Sequence, residues 1–76
     1  MPKLPVVSGE EAVRALQRGG FVFEHQSGSH VSLRHPGTGR TVSVPVHGGR
    51  DLPTGTLRGI IRDAGLTVEE FTRLLR

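Results

Sequence analysis

Apolar and polar residues alternate over positions 30–35 and 41–46, which predicts two β-strands. In the first segment, Val31 and Leu33 point to one face of the sheet, and the polar residues between them point to the other. In the second segment the apolar face consists of Val42, Val44 and Val46. Positions 36–39 read Pro-Gly-Thr-Gly, a tight connection, so we expect an antiparallel hairpin.

Two registers of this hairpin satisfy the pattern, because the apolar residues of both strands must share the core face. A four-residue loop closed by His35 and Arg40 places His30 opposite Pro45. A six-residue loop places His30 opposite His47. In either register we expect His30 and His47 to lie on the same side of the sheet, within one strand spacing.

Helical signals flank the strands on both sides. Ser8 and Glu11 form a capping box for a helix that we expect to end near Arg18, before Gly19-Gly20. On the other side, helical spacing follows Pro53, which suits a first helical turn, at Leu57, Ile60, Ile61 and Ala64. A second capping box, Thr67 to Glu70, begins a short third helix.

A further strand is predicted from Phe21 to about Gln26, followed by the turn Ser27-Gly28-Ser29. The element order is then helix, three antiparallel strands, helix and short helix. This order predicts an α+β fold in which the helices cover one sheet face and the other face stays open. Pro45 cannot donate a ladder hydrogen bond, so the third strand is expected at the sheet edge or with a bulge there.

Composition narrows the class of protein. The 76 residues predict one domain, over 1–76, with no room for a buried cofactor, so any chemistry takes place on an open surface. The net charge of +3 is weak support for a nucleic-acid partner, and the near absence of lysine is equally typical of a GC-rich genome. There are no cysteines, and no apolar run approaches the roughly 20 residues that span a bilayer. The segment 1–5 also lacks the apolar core of a signal peptide, so we expect a cytoplasmic protein without a membrane partner.

The chemistry-bearing residues of the second strand suit a phosphodiester. His30, Ser32 and Arg34 share the polar face of that strand. Imidazole exchanges protons near neutral pH, because its unperturbed pKa is about 6.5. Guanidinium matches the geometry of phosphate oxygens.

Three segments of the chain resemble the HicA-type (YcfA-like) toxins of bacterial and archaeal toxin–antitoxin pairs. They are Gly20-Phe21 leading to Gly28-Ser29-His30, then Val44-Pro45-Val46-His47-Gly48, and then Leu52-Pro53-Thr54-Gly55-Thr56-Leu57-Arg58 running on to Phe71. The resemblance implies a double-stranded-RNA-binding-domain-like fold and an mRNA interferase, an endoribonuclease that cleaves messenger RNA. It also implies a HicB-type antitoxin that masks the active face, and it assigns the essential histidine after Gly-Ser to His30.

On these grounds His30 is the candidate catalytic acid or base, with no metal and no small-molecule cofactor. The candidate RNA contacts are the turn amides of Gly28 and Ser29, the Arg34 guanidinium and His47. His47 supplies either the second proton-transfer role or a phosphate contact.

Three alternatives stay open: a non-catalytic RNA-binding module, an antitoxin-binding module without chemistry, and a metal site built from the four histidines. RNA cleavage by the purified chain separates the enzyme from the first two. The metal site is disfavoured because a straight strand places His25 and His35 on the face opposite His30, and no cysteine or carboxylate cluster completes a ligand set.

Overall fold

A computed structural model describes residues 3–76 of the chain, so Met1 and Pro2, which begin the segment 1–5 considered above, lie outside it. The elements follow the predicted order: α1 Gly9–Arg18, β1 Val22–Ser27, β2 His30–Arg34, β3 Thr41–Pro45, α2 Thr54–Asp63 and α3 Val68–Leu74. The strands form one antiparallel sheet in the order β1-β2-β3. The predicted α+β fold is confirmed. No helix within residues 3–76 is long and apolar enough to cross a membrane.

The hairpin of β2 and β3 has the shorter of the two predicted loops. The His35 amide donates to the Arg40 carbonyl at 2.8 Å, and His30 lies opposite Pro45. The pairing runs without a register shift, and β3 forms one edge of the sheet. Of the two expectations for Pro45, the edge position is therefore the one observed.

Reciprocal hydrogen bonds begin two of the helices as predicted. In α1, the Ser8 hydroxyl accepts from the Glu11 amide at 3.1 Å, and the Glu11 carboxylate accepts from the Ser8 amide at 2.9 Å. Thr67 and Glu70 repeat the arrangement before α3. Pro53 occupies the N-cap of α2, one position before the predicted first turn.

The core lies between the helices and one face of the sheet. Its largest fully buried side chains are Phe71, Leu16, Leu33, Leu57 and Val44. Both α1 and α2 pack on β3, at the opposite side of the sheet from β1. Every residue of β1 is consequently exposed, and even Phe23, which pairs with Leu33 on the helix-facing side, keeps 48% of its surface accessible.

The register of β1 differs from the sequence-based expectation. The turn between β1 and β2 contains two residues, Gly28 and Ser29, and Ser27 is already paired with His30. A turn one residue shorter than predicted moves the side chains of β1 to the opposite face. His25 pairs with Ser32 and so shares the face of His30, and the expectation that it lies on the other face was wrong.

A β-bulge in β1 moves the register again, between Phe23 and His25. The extra residue is Glu24, so Phe23 and not Glu24 pairs with Leu33. Directly paired residues project to the same face of an antiparallel sheet. The bulge thereby directs an aromatic ring, instead of a carboxylate, to the apolar side.

We expect Gly9→Ala to destabilise the protein. A methyl group at Gly9 collides with the backbone carbonyl of Pro45, where α1 begins against the end of β3. Overpacking of this kind costs about 1–3 kcal/mol. The matched control is Gly55→Ala in α2, where a methyl group meets nothing within 4 Å and a gain of up to about 1 kcal/mol is expected. Urea unfolding measures both, and equal effects would contradict the packing.

We expect Glu11→Gln to reduce the acid sensitivity of folding. The hydrogen bond from the Ser8 amide, together with the Ser8 hydroxyl, lowers the pKa of Glu11 below its ordinary 4.5. The stability that this carboxylate contributes is therefore present above that value and is lost as pH falls through the lowered pKa. Glutamine keeps the cap but does not titrate.

Urea unfolding of both proteins across the acid range measures this difference. Glu70→Gln, at the second capping box, should add to the effect, because the Thr67 amide lowers the pKa of Glu70 in the same way. An undiminished loss of stability in acid for the double variant would contradict the assignment.

Candidate active site

The sheet face turned away from the helices is open and polar. Strand pairing and alternation place on it Val22, His25, Ser27, His30, Ser32, Arg34, Thr41, Ser43 and Pro45. All are exposed except Ser32 and Pro45, which are half-buried. We call this set the outer face. These nine residues supply imidazoles, hydroxyls and a guanidinium, and the exposed carboxylate of Glu24 lies beside them at the bulge of β1.

His30 begins β2 directly after the two-residue turn, and its side chain is exposed. Gly28 has φ +59° and Ser29 has a negative φ, the combination of a type II′ hairpin turn. A glycine is needed at the first position, because other residues rarely adopt that conformation. Gly28 and Ser29 therefore form the turn that reverses the chain, and His30 is the first residue of β2 after that turn.

Hydrogen bonds hold this turn through its carbonyl groups. The Gln26 side-chain amide donates to the Gly28 carbonyl at 3.0 Å, and the Val46 amide donates to the Ser29 carbonyl at 2.6 Å. The amides of Gly28 and Ser29 donate to no other group in the part of the chain that the structure describes. These two amides can therefore donate hydrogen bonds to an anion.

Ser32 is the centre of the outer face. His30 and Arg34 lie two positions away along β2, about 7 Å in each direction. His25 on β1 and Ser43 on β3 lie directly opposite Ser32, about 5 Å away across the ladder. His25 is therefore a diagonal neighbour of both His30 and Arg34. Sequence reasoning considered His25 only for the disfavoured metal site, because a straight strand placed it on the face opposite His30, whereas the two-residue turn places it on the same face.

Arg34 brings an unpaired positive charge to the outer face. Arg34 is exposed and makes no salt bridge with a carboxylate of residues 3–76. Within those residues, the ion pair is between Arg62 and Asp63, at 3.7 Å. A surface of this sign raises the local concentration of anions such as nucleic acid.

His47 lies beyond the sheet. Pairing ends with the bond from Val46 to Ser29, and the chain then turns through Gly48 and Gly49, which have φ of +58° and +86°. His47 is exposed and contributes to a groove of about 300 Å³ beside the start of α2. Its proposed role beside His30 stays a prediction.

His35 has a structural environment. Its Nδ1 accepts hydrogen bonds from the amides of Gly37 and Thr38, at 3.1 and 3.2 Å, within the loop that joins β2 to β3. Its ring stands edge-on to the buried ring of Phe21, with the centroids 5.1 Å apart. Among residues 3–76, no three histidine, cysteine or acidic side chains cluster as a metal site would require.

Residues 9–66 match the family described as HicA toxin of bacterial toxin–antitoxin, and the match covers α1, the whole sheet and α2. The chain belongs to the HicA toxin family, as the resemblance indicated. Membership makes it a toxin of a toxin–antitoxin system and implies an antitoxin partner. No curated protein matches the chain.

We expect His35→Ala to weaken folding without touching the outer face. Loss of two hydrogen bonds to the turn and of the contact with Phe21 should cost about 1–3 kcal/mol. The matched histidine control is His47→Ala, whose exposed side chain should change stability by less than about 0.5 kcal/mol. Thermal or urea unfolding compares the two, and a His35→Ala protein as stable as the control would contradict the structural role.

Proposed function

We propose that this toxin is an mRNA interferase of the cytoplasm, an endoribonuclease that uses His30 as general acid or base on the outer face. The observation that carries the proposal is the exposed imidazole of His30 at the start of the central strand, on the same face as the Arg34 guanidinium. Membership of the HicA toxin family supports the same reading, because RNA cleavage is what the resemblance implies.

The proposed reaction uses the RNA's own 2′-hydroxyl as nucleophile. A base takes the 2′ proton, the 2′-oxygen forms a bond to phosphorus, and the bond from phosphorus to the 5′-oxygen breaks. An acid gives a proton to the departing 5′-oxygen, so the products are a 2′,3′-cyclic phosphate and a 5′-hydroxyl. Each proton transfer by a positioned group contributes typically about 10²–10⁴-fold, which is about 3–5 kcal/mol of barrier. His30 supplies one of the two transfers.

Arg34 and the turn amides are proposed to hold the phosphate. The Arg34 guanidinium lies on the same face of β2 as His30, without a competing carboxylate, and suits the non-bridging oxygens. The free amides of Gly28 and Ser29 stand next to His30 and suit an adjacent phosphate. His47 is proposed as a further phosphate contact at the edge of this surface.

A HicB-type antitoxin is the proposed partner. An antitoxin that covers the outer face excludes RNA from His30 without altering the fold, since nearly all of that face is exposed in the free chain. Family membership supports the existence of such a partner.

We expect His30→Gln to abolish RNA cleavage by the purified chain. The loss should be at least about 10²-fold, and folding should be unchanged because an exposed strand residue contributes little to the core. The assay separates the fragments of a labelled RNA and identifies their cyclic-phosphate ends. Gln17→Ala, an exposed substitution on α1 away from the outer face, is the control and should cut at the wild-type rate.

A DNA strand of the same sequence should stay intact, because it lacks the 2′-hydroxyl. Cleavage of that DNA would contradict the internal nucleophile. If the wild-type chain binds RNA without cleaving it, the protein is a non-catalytic RNA-binding module and not an enzyme.

A further inference from the structure

We propose that His25 is the second proton-transfer residue of the cleavage reaction, acting across the phosphate from His30. This inference rests on the proposed ribonuclease function. The reaction needs a base for the 2′ proton and an acid for the 5′-oxygen, and one imidazole performs one of these at a time. Of the residues on the outer face, His25 is the one besides His30 that carries an imidazole, the side chain best suited to general acid–base catalysis.

The two-residue turn places His25 there. Because Ser27 pairs with His30, the residues of β1 that share the outer face next to the turn are Ser27 and His25. His25 lies directly opposite Ser32 and diagonal to His30, a separation of about 7–8 Å that long and aromatic side chains bridge. Neither histidine is buried, and hydrogen-bonded strands hold both backbones.

The separation of the two histidines suits an in-line displacement. The attacking and leaving oxygens stand on opposite sides of phosphorus, so the base and the acid must approach from opposite sides. A phosphate seated midway along the diagonal from His25 to His30, between Ser27 and Ser32, has one imidazole on each side. The Arg34 guanidinium, also diagonal to His25, then faces its non-bridging oxygens.

Few charged groups surround His25. From β2 it faces His30 and Arg34, and the charged residue next to it on β1 is Glu24, at the bulge. No helix packs on the outer face within residues 3–76, and β1 has no neighbouring strand on its far side there. A change in the pH profile of RNA cleavage when His25 is replaced can therefore be attributed to His25 and its neighbours His30, Arg34 and Glu24.

Proton balance assigns complementary roles. If His25 takes the 2′ proton, His30 in its protonated form gives one to the 5′-oxygen, and the roles exchange if His25 is the acid. In both cases one histidine gains a proton and the other loses one during cleavage, and solvent restores the starting forms. The wild-type rate should then follow a bell-shaped dependence on pH.

The test compares His25→Gln and His30→Gln with the wild-type protein, with Gln17→Ala on α1, an exposed residue away from the outer face, as the control. We expect His25→Gln to lower kcat by about 10²–10⁴-fold and to remove one limb of the bell, and His30→Gln to remove the other limb. Circular dichroism and RNA binding verify that each variant is folded. Because His25 is exposed on an edge strand, its replacement should leave both unchanged.

A second substrate separates acid from base. An RNA whose scissile 5′-oxygen is replaced by sulfur has a leaving group that departs without protonation. This substrate should restore the rate of the variant that lacks the acid and leave the other variant slow. Restoration of one variant and not the other is the result expected for a histidine pair.

Different outcomes overturn the two proposals. If the wild-type chain does not cleave RNA, or if His30→Gln cleaves normally, the ribonuclease site itself is wrong and the role of His25 falls with it. If His30→Gln is inactive while His25→Gln keeps the wild-type kcat and the full bell, the site stands and His25 is not a catalytic residue. A raised KM with unchanged kcat and pH profile likewise reduces His25 to a binding contact.

Discussion

Burial of Val31 and Leu33 beneath the helices decides which face of the central strand meets solvent. Leu33 is fully buried and Val31 keeps 6% of its surface. Because side chains alternate along a strand, their burial obliges His30, Ser32 and Arg34 to project the other way. A slip of one residue would expose the two apolar side chains and bury an imidazole and a guanidinium, so the core itself enforces the orientation of the candidate site.

This arrangement separates stability from chemistry within a small chain. The core draws on one sheet face and the helices, whereas the candidate reactive groups are exposed and contribute little to folding. A domain of 76 residues buries only a thin core, so the candidate reactive groups act on its surface. A rigid strand surface with paired neighbours on both sides positions side chains more tightly than loops of the same length.

Much of the fold could be predicted from local patterns. The two capping boxes depend on hydrogen bonds between residues three apart, so Ser8 with Glu11 and Thr67 with Glu70 mark their helices directly. The β2–β3 hairpin has an apolar residue at every second position of both strands, which restricts it to two registers. Its loop length then selects one. The exposed position of His30 follows from the same alternation.

The register of β1, in contrast, could not be predicted from such local patterns. None of its residues is buried, so no apolar face specified its register, and consecutive Val22 and Phe23 carry no alternation. The turn at Gly28-Ser29 and the bulge at Glu24 set that register through pairing with β2. The sequence alone was therefore sufficient to place His30 on the exposed side of the sheet. Only the pairing of β1 with β2 could decide that His25 stands beside it, because strand register depends on the hydrogen bonds between the two strands and not on either segment alone.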